Sequence, residues 1–191
     1  MSAGALNRRR TTCFLAGLAV VALALSPPLD AAAGRRLSAH MAQHLLLMLA
    51  ATPLLAAARP FDWRRAPRVA THPVVVLTVA VGGFWAWHLP RAYDAALGNP
   101  FVHMAEHGTF LAGGFVFWSI VLDPGPRRRL GLGATCGFVF AAMLINIWLA
   151  AGLAFATTPI YAAYAAHEGA AAALADQQLA GVIMWLPADF V

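Results

Sequence analysis

Apolar residues run along this chain in long unbroken blocks, and polar residues collect in the short stretches between them. The blocks cover residues 12–29, 39–58, 73–89, 101–122 and 133–157, and a last one opens near Gln178. Each approaches the ~20 residues a helix needs to cross a bilayer. Only helices and closed barrels satisfy every backbone group in lipid. The runs are continuous, without the ten-residue alternation of a membrane barrel. The pattern therefore predicts an all-α fold, a polytopic transmembrane helix bundle of about five or six spans. Pro90, Pro100, Pro124 and Pro159 fall at block edges, where proline costs little, whereas Pro53 lies inside the second block and predicts a kink there. Gly133 and Gly137 form a G-x-x-x-G that, with the abundant alanine, predicts close helix packing. Asn146, deep in the fifth block, is expected to make an interhelical hydrogen bond worth about 1 kcal/mol. Trp85, Trp87, Trp118, Trp148 and Trp185 read as interface anchors or bundle packing.

Composition removes the soluble alternatives. The chain is 61% hydrophobic and 11% charged over 191 residues, with a mean hydropathy of +0.68, outside the range of soluble domains. Its pI of about 10.2 comes from arginine alone. In a soluble protein that excess would suggest nucleic acid, but here the arginines sit in short loops between apolar blocks, where they set orientation, so no nucleic-acid partner is expected. Arg8, Arg9, Arg10, Arg59, Arg64, Arg65, Arg68, Arg127, Arg128 and Arg129 fall on one side, against Arg35, Arg36 and Arg91 on the other. That alternation predicts a cytoplasmic N-terminus. Residues 1–37 form a basic segment, a first helix and an outer loop, and residues 38–191 form a helical membrane domain. Three arginines, an apolar stretch and Ala31-Ala32-Ala33-Gly34 also describe a cleavable signal peptide, but the apolar stretch is long for one, which favours a retained anchor. The apolar run opened by Gly181-Val182-Ile183-Met184-Trp185 stops at Val191 before it can cross, which predicts a fragment or an incomplete last helix.

The topology sorts the histidines. Six of the seven fall on the outer side: His40 and His44 open the second block, His88 closes the third, His103 and His107 open the fourth, and His167 lies in the last outer loop. Only His72 falls on the cytoplasmic side. His40/His44 and His103/His107 are both H-x-x-x-H, and residues four apart on a helix share a face. Two such pairs at matched depth can bring four imidazoles to one point, with His88 beside them. Imidazole suits copper, zinc and iron, and the thioethers of the nearby Met41, Met48 and Met104 would narrow the choice towards Cu(I). Glu106 and Asp94 could orient the rings as acceptors. The competing reading is that single histidines at helix ends sit in interfacial water without a specific role, and His72 and His167 are assigned to it. Cys13 and Cys136 stand alone in apolar stretches and make neither a thiol site nor a disulfide framework.

Four segments resemble the bacterial CtaG-type cytochrome c oxidase assembly factors. They are His40-Met41-Ala42-Gln43-His44-Leu45-Leu46-Leu47, then Trp87-His88-Leu89-Pro90 with Tyr93-Asp94-Ala95-Ala96-Leu97, then His103-Met104-Ala105-Glu106-His107, and Asp176-Gln177-Gln178-Leu179-Ala180-Gly181-Val182-Ile183-Met184-Trp185. The resemblance covers residues 38 to 191 in the family's order. It implies a multi-pass protein of the bacterial inner membrane, a non-enzyme that helps build active cytochrome c oxidase by delivering copper to its subunits. His40, His44, His103 and His107 are then the expected ligands, followed by His88, Met41 and Met104, with Gln43, Asp94, Glu106, Asp176 and Gln177 as supporting polar groups. Family members usually continue with further transmembrane sequence after the Met-Trp pair, and their first helix is longer. The histidine pairs alone equally fit a haem-bearing redox protein with axial imidazoles. A copper or small-solute transporter would need a polar path that the helix centres barely offer. A di-iron carboxylate enzyme would need more inward carboxylates than Glu106.

Overall fold

The computed structural model describes residues 3–60, 67–123 and 130–185, and among these the chain is all-helical, with no strand. Nine helices follow one another: α1 (Ala3–Ala24), α2 (Pro27–Ala33), α3 (Leu37–Ala58), α4 (Pro73–Trp87), α5 (Pro90–Gly98), α6 (Pro100–Val121), α7 (Leu132–Ala154), α8 (Ala162–Glu168) and α9 (Ala170–Trp185). Arg64, Arg65, Arg127, Arg128, Arg129 and Pro124, and the apolar run beyond Trp185, lie outside the described residues.

Prolines set the breaks. α2, α4, α5 and α6 all open on proline, whose fixed φ suits the first turn and whose missing N–H is unneeded there. The side chain of Asn99 caps α6 by accepting from the backbone N–H of Phe101 at 2.9 Å. Between α4 and α5 only His88 and Leu89 intervene, and the axes turn by 72°. α1 and α2 make a similar elbow of 50°.

α3 and α7 are each long and apolar enough to cross a membrane, and counting each bent pair as one span raises the number to four. α6 has the length, but Glu106 and His107 in its first turns keep its mean hydropathy below that of α3 and α7. α1 starts nine residues before the expected block, because arginine is a good helix former and Arg8, Arg9 and Arg10 extend the helix instead of ending it. α9 starts at Ala170, well before Gln178, because a run of alanines follows Gly169, whose φ of 85° ends α8. Asp176 and Gln177 therefore sit on a helix and not in a loop.

Pro53 is accommodated by a widened turn. Residues Leu46–Ala51 of α3 are π-helical, immediately before the proline. The Met48 carbonyl at this turn accepts from Thr52 Oγ1 at 2.6 Å and from the Trp118 indole of α6 at 2.9 Å. Trp118 is thus a bridge between two helices.

The glycines that bring helices together are not the expected pair. A Cβ on Gly133 or Gly137 would meet nothing within 4 Å, because that face of α7 points out of the bundle. Gly17 instead lies against Leu55, Gly114 against Thr52, and Gly181 against the Ala150 carbonyl and the backbone of Ala154. These contacts pack α1 on α3, α3 on α6, and α9 on α7. The largest apolar cluster joins Leu37, Met41, Phe84, Tyr93, Phe110, Leu153, Tyr161 and Met184, at the end of the bundle where α3, α5, α6 and α8 meet.

Candidate metal centre

Helical register puts His40 and His44 one above the other on the inner face of α3, and His103, Glu106 and His107 on the facing side of α6. His40, Glu106 and His44 are almost completely buried, at 0%, 0% and 1% exposure. The His40 and His103 ring centres are 5.0 Å apart, those of His44 and His107 5.4 Å, and those of His40 and His44 4.3 Å. His88, carried in by the α4–α5 bend, stands 6.3 Å from His44. Five imidazoles from three separate chain segments thus meet in one place. His72 and His167 lie elsewhere, both exposed.

Glu106 sits among these rings. Its Oε2 is 3.6 Å from His40 Nε2 and its Oε1 3.8 Å from His44 Nε2, beyond hydrogen-bonding range. Neither carboxylate oxygen has a hydrogen-bond partner, and neither do Nε2 of His40, His103 and His107 or both ring nitrogens of His44. One ligand atom each from His40, His103, Glu106 and His107 lies within 4.8 Å of the others. Unpaired polar atoms in a buried site cost roughly 1–3 kcal/mol each. A buried carboxylate set among imidazole nitrogens that lack hydrogen-bond partners has the form of a cation site.

Hydrogen bonds around the cluster fix the orientation of individual rings. Tyr164 donates its hydroxyl proton to the Ala33 carbonyl at 2.8 Å, so the contact of its oxygen with His40 Nδ1 at 3.1 Å requires Nδ1 to carry a proton. His40 Nε2 is then left as a lone pair facing Glu106. His88 Nδ1 is 2.7 Å from the Phe84 carbonyl, an acceptor only, so His88 Nε2 also presents a lone pair. Tyr161 donates to the His88 carbonyl at 3.1 Å. Burial raises the hydroxyls of Tyr161 and Tyr164 above the ordinary tyrosine value, so both stay protonated and donate. The His40 ring also packs on Tyr93, at 5.1 Å. All three tyrosines of the chain therefore surround the histidines. Sequence reasoning missed Tyr161 and Tyr164; their signal was that every tyrosine falls in a segment adjoining an outer-side histidine.

Several expected participants lie apart. Met104 turns outwards at 63% exposure and is not in the cluster, because α6 has no neighbour on that side. Met41 is buried, with its Sδ 3.4 Å from His88 Nε2. No hydrogen bond or ion pair among the described residues joins Asp94 to an imidazole. Gln43 points to the α1–α2 elbow, donating to the Ala24 carbonyl at 2.8 Å, with Asp30 Oδ1 at 3.5 Å. Asp30 in turn lies 3.8 Å from His103 Nδ1, the carboxylate actually placed beside that ring. Asp176 accepts from the Ser38 backbone N–H at 3.1 Å and from the Ser38 hydroxyl, at the positive end of the α3 dipole. Gln177 accepts from the Ile160 N–H at 2.7 Å, and Gln178 donates to the Ala156 carbonyl at 3.0 Å. These three residues clamp α3 and the segment leading to Tyr161 onto α9, and they touch no imidazole.

Phe110 packs on His44 at 4.7 Å and Phe84 on His88 at 4.3 Å, and both also line a cavity of about 390 Å³ next to the histidines. Most of its lining is aliphatic or aromatic. Asn146 belongs to that lining, and its Oδ1 has no hydrogen-bond partner, so the expected interhelical bond to this oxygen is not made.

The chain has no significant match among curated proteins or among solved structures. A family model does match, that of the cytochrome c oxidase caa3 assembly factor, over residues 2–191. This chain, helical among its described residues and with a buried histidine–carboxylate cluster, is thus a member of the cytochrome c oxidase caa3 assembly factor family.

Proposed function

We propose that this assembly factor holds a copper ion between His40, His103, Glu106 and His107, with His44 alongside, and hands it to a subunit of the oxidase. The observation that carries the reading is the set of ligand atoms within 4.8 Å of one another, buried without hydrogen-bond partners, with the Nε2 lone pair of His40 facing Glu106. Three imidazoles and a carboxylate make a nitrogen–oxygen site, and such sites bind Cu²⁺ more tightly than the other divalent first-row ions. Copper here is cargo. Its release needs a site near the protein's edge, and His103, which keeps 18% of its side chain exposed, offers a way out.

The arginine asymmetry supports a site on the outer side of a bacterial inner membrane, in a bundle of five or six spans with a cytoplasmic N-terminus. Phe84 and Phe110 lie beneath the histidines, which disfavours a polar path across the membrane and hence a transporter. The close ring spacing favours an ion over a haem, whose macrocycle needs a slot between facing imidazoles.

In a host deleted for its own assembly factor, the parent chain should restore copper content and activity of the oxidase. Glu106→Gln should accumulate in the membrane and restore neither. Normal copper occupancy in the oxidase of the variant strain would contradict the proposal.

A further inference from the structure

His88 and Met41 meet in a way that hydrogen bonding does not explain. The Phe84 carbonyl, 2.7 Å from Nδ1, holds the His88 proton on that nitrogen, so Nε2 carries only a lone pair. That lone pair faces Met41 Sδ at 3.4 Å. A thioether has no proton to give, so two acceptors stand in contact with none between them. Both side chains are buried, His88 at 4% and Met41 at 0% exposure.

Two ligand atoms on one tetrahedral metal show this arrangement. With bonds of about 2.1 Å to nitrogen and about 2.3 Å to sulfur, they stand about 3.6 Å apart. His44 lies next to His88, and both its ring nitrogens lack partners. A thioether with two imidazoles is a soft set that suits Cu(I), whereas the neighbouring imidazole–carboxylate set is harder.

We propose that His88, Met41 and His44 form a second, Cu(I)-selective subsite beside the His40, His103, Glu106 and His107 centre. The proposal rests on the metal reading given above and divides its ligands by softness. The α4–α5 bend delivers His88 to the α3 face that carries His44 and Met41, so the subsite is built by a fold feature with no part in the harder centre. Two adjoining subsites would let the protein keep hold of copper in either oxidation state.

The test is X-ray absorption and competition titration on the detergent-purified full chain loaded with Cu(I) or with Zn(II), comparing the parent with Met41→Leu and Glu106→Gln. Leucine replaces methionine at nearly constant volume, so folding is preserved. The parent loaded with Cu(I) should show a sulfur neighbour at about 2.3 Å. Met41→Leu should lose that sulfur and bind Cu(I) at least about tenfold more weakly, with Zn(II) affinity unchanged. Glu106→Gln should weaken Zn(II) and leave the sulfur signal in place. Stoichiometric Cu(I) with only nitrogen and oxygen neighbours would overturn the subsite and leave the harder centre standing. No binding of either ion by the parent would overturn both.

Discussion

The hydroxyl of Tyr164 lies between His40 Nδ1, at 3.1 Å, and the Ala33 carbonyl, at 2.8 Å. Its single proton goes to the carbonyl, so its oxygen selects the His40 tautomer that points a lone pair at Glu106. Tyr164 belongs to α8, more than a hundred residues further along the chain, and is held there by the packing of α8 and α9 against the bundle.

Tyr164→Phe should therefore weaken metal binding about 10–100-fold, the usual effect of removing a group that orients a ligand. The fold should lose only about 1 kcal/mol. Competition titration and a thermal melt in detergent separate the two effects. An unchanged affinity would mean that Tyr164 does not set the tautomer.

Glu106 places a carboxylate among imidazoles with no donor to either oxygen. Burying an ion without partners is costly, and an amide costs less. Metal-free Glu106→Gln should unfold at a higher temperature than the metal-free parent, while gaining less from added copper. A lower melting temperature for the metal-free variant would show that Glu106 is satisfied without a metal.

Met41 and Met104 both follow the first histidine of an H-x-x-x-H, and the sequence treats them alike. The structure separates them, since α3 is enclosed by α1, α6 and α9 whereas Met104 faces outwards at 63% exposure. Met104→Ala should leave Cu(I) affinity unchanged, measured by the same titration. A large loss would require α6 to rotate in the metal-bound protein.

Gly181 lies against the backbone of α7, with the Ala150 carbonyl 2.7 Å from where a Cβ would stand. Gly181→Val should destabilise the bundle by about 1–3 kcal/mol, because the backbone it meets cannot move aside cheaply. Gly133→Ala and Gly137→Ala should be close to neutral or slightly stabilising in the same melts, since both positions are open. The reverse order would mean that α9 docks elsewhere.

These contrasts show what the sequence could reveal. Helical period alone puts His40 with His44 and His103 with His107 on shared faces, and proline positions mark the starts of α4, α5 and α6. Neither period nor propensity shows which face of a helix meets a neighbour. That is why the G-x-x-x-G of α7 suggested a contact it does not make, while Gly114 and Gly181 gave no signal. The α4–α5 bend, the π turn before Pro53 and the tyrosines of the α8 region depend on long-range packing, and so does the separation of Asp94, Asp176 and Gln177 from the imidazoles.

The most direct test of the central claim is the copper and haem content of the detergent-purified protein after copper loading, alongside a variant carrying alanine at His40, His44, His103 and His107. The account predicts stoichiometric copper without haem in the parent and no copper in a variant that remains helical. Haem in the parent that is lost in the variant, or copper retained by the variant, would contradict it.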